Sequence, residues 1–507
     1  MAGSSETHLI QKGAFQELDA VSLLTPHVKL AVRPAGIEAI PDAIRNAYRA
    51  AWYGRPGSSF VDLPADYIQG SADEETEEDC GGIKLLPPPP APAADTARLL
   101  KIAQLFKGAK APLVVIGKGA AYARAEDVIR EFIDKTSIPF LPSPSGKGVV
   151  ADSHTLNTAS ARSTALKHAD VVLLLGARLN WIFHFGEAPK WNPEARFIQV
   201  DISPEEIGRN RGDAELGIVG DVKIVVPQLL HHLQDWSYNT SSSAYIKELS
   251  VSREKNEAKA AQTAAKATQP LSFTHAFKVI KDTLHTLSPP EKGGIVYVSE
   301  GANTMDISRS AFPVEHPRLR LDAGTYATMG VGMGYAIAAH EAYNSPFAEG
   351  RSGPTGRKKI VALEGDSAFG FSGMEIETMS RCKMDCLVFI MNNGGVYNGD
   401  AKSEEEFLRK QAGAGTEALR SWSLGWEVRY EKLAEACGGK GFFVRTPEEL
   451  ERATREGFAA GVPVIVNVVI ESGQMGKIVS IFLFPISFLP RFGTNADFLG
   501  IWLAGQQ

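Results

Sequence analysis

Two short polar stretches carry residue types from which chemistry could be built. Gly365-Asp366-Ser367 closes the apolar run Lys359–Leu363, and Asn392-Asn393-Gly394-Gly395 closes the apolar run Leu387–Met391. An Asp carboxylate, an Asn amide oxygen and a nearby main-chain carbonyl are hard oxygen donors. A small divalent cation accepts such donors while it also holds phosphate oxygens. Between the runs, Met374, Ile376 and Met379 mark a helical segment. A strand, helix, strand unit returns its second strand parallel to the first. Asp366 and Asn393 are therefore expected at neighbouring carboxyl ends, where open α/β sheets receive ligands. Either stretch alone is ordinary turn chemistry, since Gly and Asn are common at strand ends. Joined across one crossover, they describe a site for Mg²⁺ and a diphosphate.

The elements that would position this site follow from alternating strand and helix patterns. A helix is expected over Ile37–Trp52, a strand over Ser59–Leu63, and a helix capped by Asp95 that runs to Phe106. Strands Leu113–Ile116, Val171–Leu175 and Phe197–Ile202 follow, the first two leading into Gly117-Lys-Gly and Gly176-Ala-Arg178. Glycines just past strand ends describe a doubly wound sheet; Gly117-x-Gly is only a fragment of a dinucleotide fingerprint. Helix Phe273–Leu284, strand Ile295–Ser299, an apolar helix Tyr335–Ala342 and strand Val464–Ile470 belong to a last domain. The acidic run Asp73–Asp79 with Pro87–Pro90, and the polar stretch from Ser237 to Gln269, read as exposed connectors.

Composition sets limits on function. The chain has 507 residues, 44% of them hydrophobic, enough for about three domains. A net charge of −6 leaves no basic footprint, so nucleic acid is not an expected partner. Four cysteines, Cys80, Cys382, Cys386 and Cys437, are too few for a disulfide framework and fit a reducing compartment. Cys382 and Cys386 are expected together on the crossover helix, without the second ligand pair that a metal site needs. No charged-then-apolar secretory signal opens the sequence. The apolar run Ile478–Leu489 is too short and Pro-broken to span a bilayer.

Asp366-Ser367, 24 intervening residues and Asn392-Asn393 resemble the thiamine diphosphate motif, Gly-Asp-Gly and then Asn-Asn, with Ser367 in place of the last glycine. GDSAFGFSGMEIET and NNGGVYNGD are similar to the 2-hydroxyacyl-CoA lyases and their sister group, the oxalyl-CoA decarboxylases. The likeness runs from about Gly13 to Gln474. It implies an α/β protein of three doubly wound parallel-sheet domains, the first incomplete. Residues 1–70 would be the end of a pyrimidine-binding domain, 71–94 an acidic and Pro-rich linker, and 95–236 a central Rossmann-like domain. Residues 237–270 would be a connector, 271–475 the diphosphate- and Mg-binding domain, and 476–507 an atypical tail. The earlier part of the family's pyrimidine-binding domain has no counterpart here. The glutamate that activates the cofactor belongs to that part, and no residue of this sequence takes its role.

The resemblance also implies residue roles. Asp366, Asn393 and the Gly395 carbonyl would ligate Mg²⁺, and the Ser367 and Ala368 amides would hold diphosphate. Ala302, Asn303, Thr304 and Tyr397 would line the cofactor. Met329 would be the wedge that bends it, with Thr328 beside it and Ala327 offering a carbonyl to the aminopyrimidine. Gln16 would lie nearest the reacting centre; Phe15-Gln16 stands where the decarboxylases tend to have Tyr-Glu, which leans the reading toward the lyases. Arg178, Trp181 and Arg309 are candidates for the coenzyme A moiety, and an ADP site in the central domain is a further expectation. Plainer readings stand beside these: Met329 as a buried gap-filler, Trp181 with Phe183 and Phe185 as packed core, Ala302–Thr304 as a helix cap, and Gln16 as a solvated helix start.

The implied reaction cleaves 2-hydroxyacyl-CoA between its first and second carbons, giving formyl-CoA and an aldehyde one carbon shorter. The alternatives are oxalyl-CoA decarboxylation and a chain that binds the cofactor but is catalytically incomplete. Because the family's site lies between the first domain of one subunit and the third of another, a homodimer or homotetramer is implied. A peroxisomal location is implied too, although the sequence ends Ala504-Gly-Gln-Gln without a Ser-Lys-Leu-like tripeptide; a cytoplasmic location is the alternative. Both ends depart from the family pattern as a late start and an intron read through after Lys477 would make them.

Overall fold

Continuous apolar runs become strands buried on both faces, as parallel sheets require. The structure is a computed structural model describing residues 1–72, 86–345 and 356–473. The acidic run Asp73–Asp79 and the tail after Gly473 lie outside the described residues. The protein is α/β, and every strand pair in its three sheets is parallel. Two compact units divide it: Met1–Val150, His154–Arg178 and Glu187–Ser250 form one, while Ala151–Ser153, Leu179–Gly186 and Val251–Gln507 form the other. Among the described residues, no helix is long and apolar enough to cross a membrane.

In the first unit, β1 (Ala2–Ser4), β2 (Leu30–Val32) and β3 (Ser59–Pro64) pair in the order β1-β3-β2. Ala2–Ser4 forms a sheet edge, where main-chain bonds suffice and polar side chains are no obstacle. Helix Ile40–Trp52 buries Ala43 and Ala47 against Val61.

The second sheet of this unit holds β4 (Pro112–Ile116), β5 (Phe140–Pro142), β6 (Val171–Leu175), β7 (Arg196–Asp201) and β8 (Gly217–Val219), in the order β5-β4-β6-β7-β8. Asp95 caps its first helix, Thr96–Gly108, by accepting from the Arg98 amide. From β4 the chain goes to one side and from β6 to the other, so a crevice opens between those two strand ends. Gly117 and Gly176 close in there, and a Cβ on Gly117 would collide with the Gly176 carbonyl.

In the second unit, β9 (Ile295–Glu300), β10 (Arg320–Asp322), β11 (Lys359–Gly365), β12 (Cys386–Asn392), β13 (Lys440–Val444) and β14 (Val464–Val469) form one sheet, in the order β10-β9-β11-β12-β14-β13. β11 and β12 are neighbours, with Gly365 opposite Met391, so the expected crossover is present. It contains two helices, Asp366–Ser372 and Glu375–Arg381, broken at Gly373. The cysteine pair does not share a helix: Cys382 follows the second helix, while Cys386 opens β12 and is buried. Lys383, at φ +52°, turns the chain between them. The connector is also less exposed than its composition implies. Helix Ala244–Ala265 lies within it and buries Tyr245 and Leu249.

Phe389, fully buried in β12 beside Leu363 and Val466, should be the more costly of two truncations. Phe389→Ala should lower unfolding stability by about 3–5 kcal/mol. Thr446→Ala, which removes the capping box of helix Pro447–Phe458, should cost about 1 kcal/mol. Urea unfolding followed by tryptophan fluorescence checks both.

Candidate functional site

β9 is flanked by β10 on one side and β11 on the other, so the reversal point of the second unit's sheet lies between the carboxyl ends of β9 and β11. Gly301, at φ +96°, lets the two ends approach; a Cβ there would lie 3.1 Å from the Gly365 nitrogen. Helix Ala302–Ala311 begins at one end and helix Asp366–Ser372 at the other, so first-turn amides from both are available to an anion.

Asp366 is buried, and its carboxylate ties two strand ends together. Oδ1 accepts from the Ser367 amide at 2.7 Å. Oδ2 accepts from the amides of Asn393 at 3.2 Å, Gly394 at 2.8 Å and Gly395 at 3.1 Å. Burial pushes the carboxyl up to about 6, against the pull of those donors. The Asn393 side-chain nitrogen donates to the Tyr397 carbonyl at 2.7 Å, leaving its oxygen as an acceptor. Asn303 donates to the same carbonyl at 2.9 Å and to Asn398 Oδ1 at 3.1 Å. Thus Asn303, 94 positions before Tyr397, meets Asn393 at one carbonyl. Gly395 has φ +151°, and a Cβ there would sit 2.5 Å from the Trp422 carbonyl. Asn392 turns the other way, to Val428 O at 3.0 Å and Asn467 Oδ1 at 3.1 Å, and is structural. Among the described residues no three His, Cys, Asp or Glu gather as a metal cluster. A cation here would rest on Asp366, the Asn393 oxygen and main-chain carbonyls, which is the chemistry a hard cation takes.

The opposite wall is the turn from Thr325 to Gly332. Glu300, the last residue of β9, accepts from the amides of Gly330 and Gly332. Trp181 Nε1 donates to the Thr325 carbonyl at 2.7 Å, so this side chain, expected to touch coenzyme A, is committed to the turn. Ala327 adopts φ +51°, Thr328 is exposed, and Met329 is 38% exposed, which excludes a buried gap-filler. Thr304 and Ala368 are buried beside the strand ends. Arg309 is held by Asp306 at 2.7 Å and Asp322 at 3.0 Å, so its charge is already matched. Glu364, opposite Glu300 in the register, is fully buried and accepts no hydrogen bond from the described residues. Burial, and then the Glu300 charge, hold its carboxyl well above the usual range.

In the first unit, Arg178 leaves the β6 end and pairs with Glu206 at 3.3 Å. Arg55 at 2.6 Å and Arg209 at 3.4 Å share that buried carboxylate. Lys118 is half-buried, and desolvation, then Arg178 and Arg55, lower its pKa. Three arginines around one glutamate, with Lys118 beside Arg178 and Arg55 and with Asp201 nearby, leave positive charge in excess, suited to phosphate. Gln16 sits in an exposed turn at φ +58°, not at a helix start. Arg55, Glu206 and Glu300 escaped the sequence reading. Arg55 looked like part of a Gly-Arg-Pro-Gly turn; only the ionisable end of an apolar strand could have marked Glu300.

Comparison with known proteins gives the family. The model "Thiamine pyrophosphate enzyme, central domain" matches residues 99–229, and "Thiamine pyrophosphate enzyme, C-terminal TPP binding domain" matches residues 300–468. These are the domains of a thiamine pyrophosphate enzyme. The chain is 41% identical to 2-hydroxyacyl-CoA lyase 1 of Homo sapiens over 478 residues, 93% of this chain and 78% of the relative. It is 39% identical to 2-hydroxyacyl-CoA lyase of Arabidopsis thaliana over 477 residues, 93% and 79% of the two chains. Oxalyl-CoA decarboxylase of Escherichia coli (strain K12) is 37% identical over 486 residues, 94% and 81%. The chain belongs to the family of 2-hydroxyacyl-CoA lyases and oxalyl-CoA decarboxylases within the thiamine pyrophosphate enzymes.

Gly395→Ala should strain the turn by roughly 1–3 kcal/mol, through both the positive φ and the Trp422 carbonyl. A lowered melting temperature checks this; an unchanged one contradicts it.

Proposed function

We propose that the chain binds thiamine diphosphate with Mg²⁺ and serves the cleavage of 2-hydroxyacyl-CoA to formyl-CoA and an aldehyde one carbon shorter. The observation that carries this is the Asp366 carboxylate, bound to the Asn393–Gly395 turn by three amide hydrogen bonds. The donor set fits the cation: Asp366 Oδ1, the Asn393 oxygen and the Gly395 carbonyl would hold it. The Ala368 amide would take a diphosphate oxygen, and the Ser367 amide would join it by leaving Asp366 Oδ1, facing Ala302, Asn303 and Thr304, with Tyr397 alongside. Met329, projecting from its turn with Ala327 and Thr328, would bend and orient the cofactor. When bound, thiamine diphosphate supplies an electron sink for the charge left by breaking the carbon–carbon bond.

Arg178, with Lys118 and Arg55, would bind phosphates of coenzyme A, and ADP is the alternative ligand for those cations. Arg309 could join only by leaving Asp306 or Asp322. Trp181 could offer only its ring face while its nitrogen holds Thr325. Gln16 would approach the reacting carbon. A chain that binds cofactor without turning over is the second reading. Oxalyl-CoA decarboxylation is the same-class alternative, supported by the 37% relative. Large exposed apolar side chains on the second unit, Tyr326, Phe371, Met374 and Trp422, support self-association as a homodimer or homotetramer. A peroxisomal setting is proposed on the resemblance alone.

Calorimetry with thiamine diphosphate and Mg²⁺ tests the binding, and product analysis separates the reactions. Formyl-CoA with an aldehyde supports the lyase, carbon dioxide from oxalyl-CoA the decarboxylase, and cofactor uptake without either product the incomplete chain. Asp366→Ala should weaken uptake by about 100-fold or more. The Asp366 pKa is raised in the ligand-free fold, so its ionisation subtracts stability as pH rises from about 4 through about 6. The cation needs the ionised form, so uptake should weaken about tenfold per pH unit below about 6; affinity independent of pH across that range would contradict this role.

A further inference from the structure

The turn that carries Met329 is exposed at its tip and fixed at its base. Tyr326 is 94% exposed and Met329 38%, and Ala327 and Gly330 both hold positive φ. A turn of this kind gains little from packing, so its shape depends on main-chain hydrogen bonds. Two groups of the same unit supply them. At the entry, Trp181 Nε1 and Asn180 Nδ2 donate to Thr325, at 2.7 Å to its carbonyl and 3.4 Å to its hydroxyl. At the exit, the two oxygens of Glu300 each take one amide, Oε1 that of Gly330 and Oε2 that of Gly332. Glu300 belongs to a fully buried strand, β9, so its carboxylate is a fixed point. Glu364 backs the same place, and a Cβ on Gly332 would collide with its carboxyl oxygens. The exit of the turn can therefore neither slide outward, where Glu300 holds it, nor settle inward, where Glu364 stands.

We propose that Glu300 is a positioning residue for the cofactor: its bidentate hold on the Gly330 and Gly332 amides sets where Met329 stands. The inference rests on the thiamine diphosphate reading above, and it deepens that reading by naming what orients the wedge. Glutamine in place of Glu300 keeps the shape but offers one acceptor oxygen and turns an NH₂ toward the second amide. The loss of one charge-assisted hydrogen bond corresponds to about tenfold or more. If Glu300 acts through Met329, that loss disappears once Met329 is gone, because coupled residues are not additive.

The test is a double-mutant cycle on thiamine diphosphate affinity in the presence of Mg²⁺, using the full chain, Glu300→Gln, Met329→Ala and the double variant. Glu300→Gln should raise Kd about tenfold in the parent and less than twofold in Met329→Ala. Equal losses in both backgrounds, or an unchanged Kd in folded Glu300→Gln, would overturn the proposal. A parent chain that takes up no cofactor would overturn the functional reading and this inference with it, so the two failures are distinct. Amide hydrogen exchange of the ligand-free parent needs no variant to fold. Gly330 and Gly332 should exchange at least tenfold more slowly than Tyr326, and equal rates would also overturn the clamp.

Discussion

One buried carboxylate organises the second unit. Asp366 sits where β11 ends, yet three of its four amide partners come from the turn after β12. Burying a carboxylate is unfavourable unless donors surround it, and here the donors are main-chain groups that only one backbone path can bring together. That path needs positive φ at both Gly394 and Gly395. The Asn393 side-chain nitrogen is spent on the Tyr397 carbonyl, so its oxygen stays an acceptor. The same hydrogen bonds that make the turn thus occupy its amide donors at Asp366.

The first unit solves a related problem with the opposite sign. Gly117 and Gly176 bring β4 and β6 together, and the cations around Glu206 outnumber the carboxylate that holds them. One reversal point is lined with oxygen acceptors, the other with guanidinium groups and a lysine. A metal-bridged pyrophosphate suits the first, and the bare phosphates of a nucleotide-like carrier suit the second. Each follows from the doubly wound topology, which leaves a crevice wherever neighbouring strands send their chains to opposite sides.

Much of this was legible before any coordinates. Runs such as Val171–Leu175, short, partly β-branched and ended by glycine, read as strands buried on both faces, and the Asp366 to Asn393 spacing marks one crossover. The edge strands were hidden for physical reasons. Ala2–Ser4 and Arg320–Asp322 are three residues long, too short for periodicity to register, and Lys440–Val444 packs on the sheet edge. The site was legible only where a residue acts through a local motif. Glu300 reaches a turn some thirty residues away, and Arg55 meets Glu206 across 151 positions. Such contacts are products of the fold. Trp181 is a further case, since its indole nitrogen donates to a carbonyl 144 positions away.

The central claim is that the ends of β11 and β12 chelate one cation through Asp366, Asn393 and Gly395. Its most direct measurement is anomalous diffraction from crystals grown with thiamine diphosphate and Mn²⁺ in place of Mg²⁺. The account predicts a single strong peak about 2.0–2.2 Å from the Asp366 carboxylate, the Asn393 side-chain oxygen and the Gly395 carbonyl. A peak bound elsewhere, with these three oxygens turned from it, would contradict it.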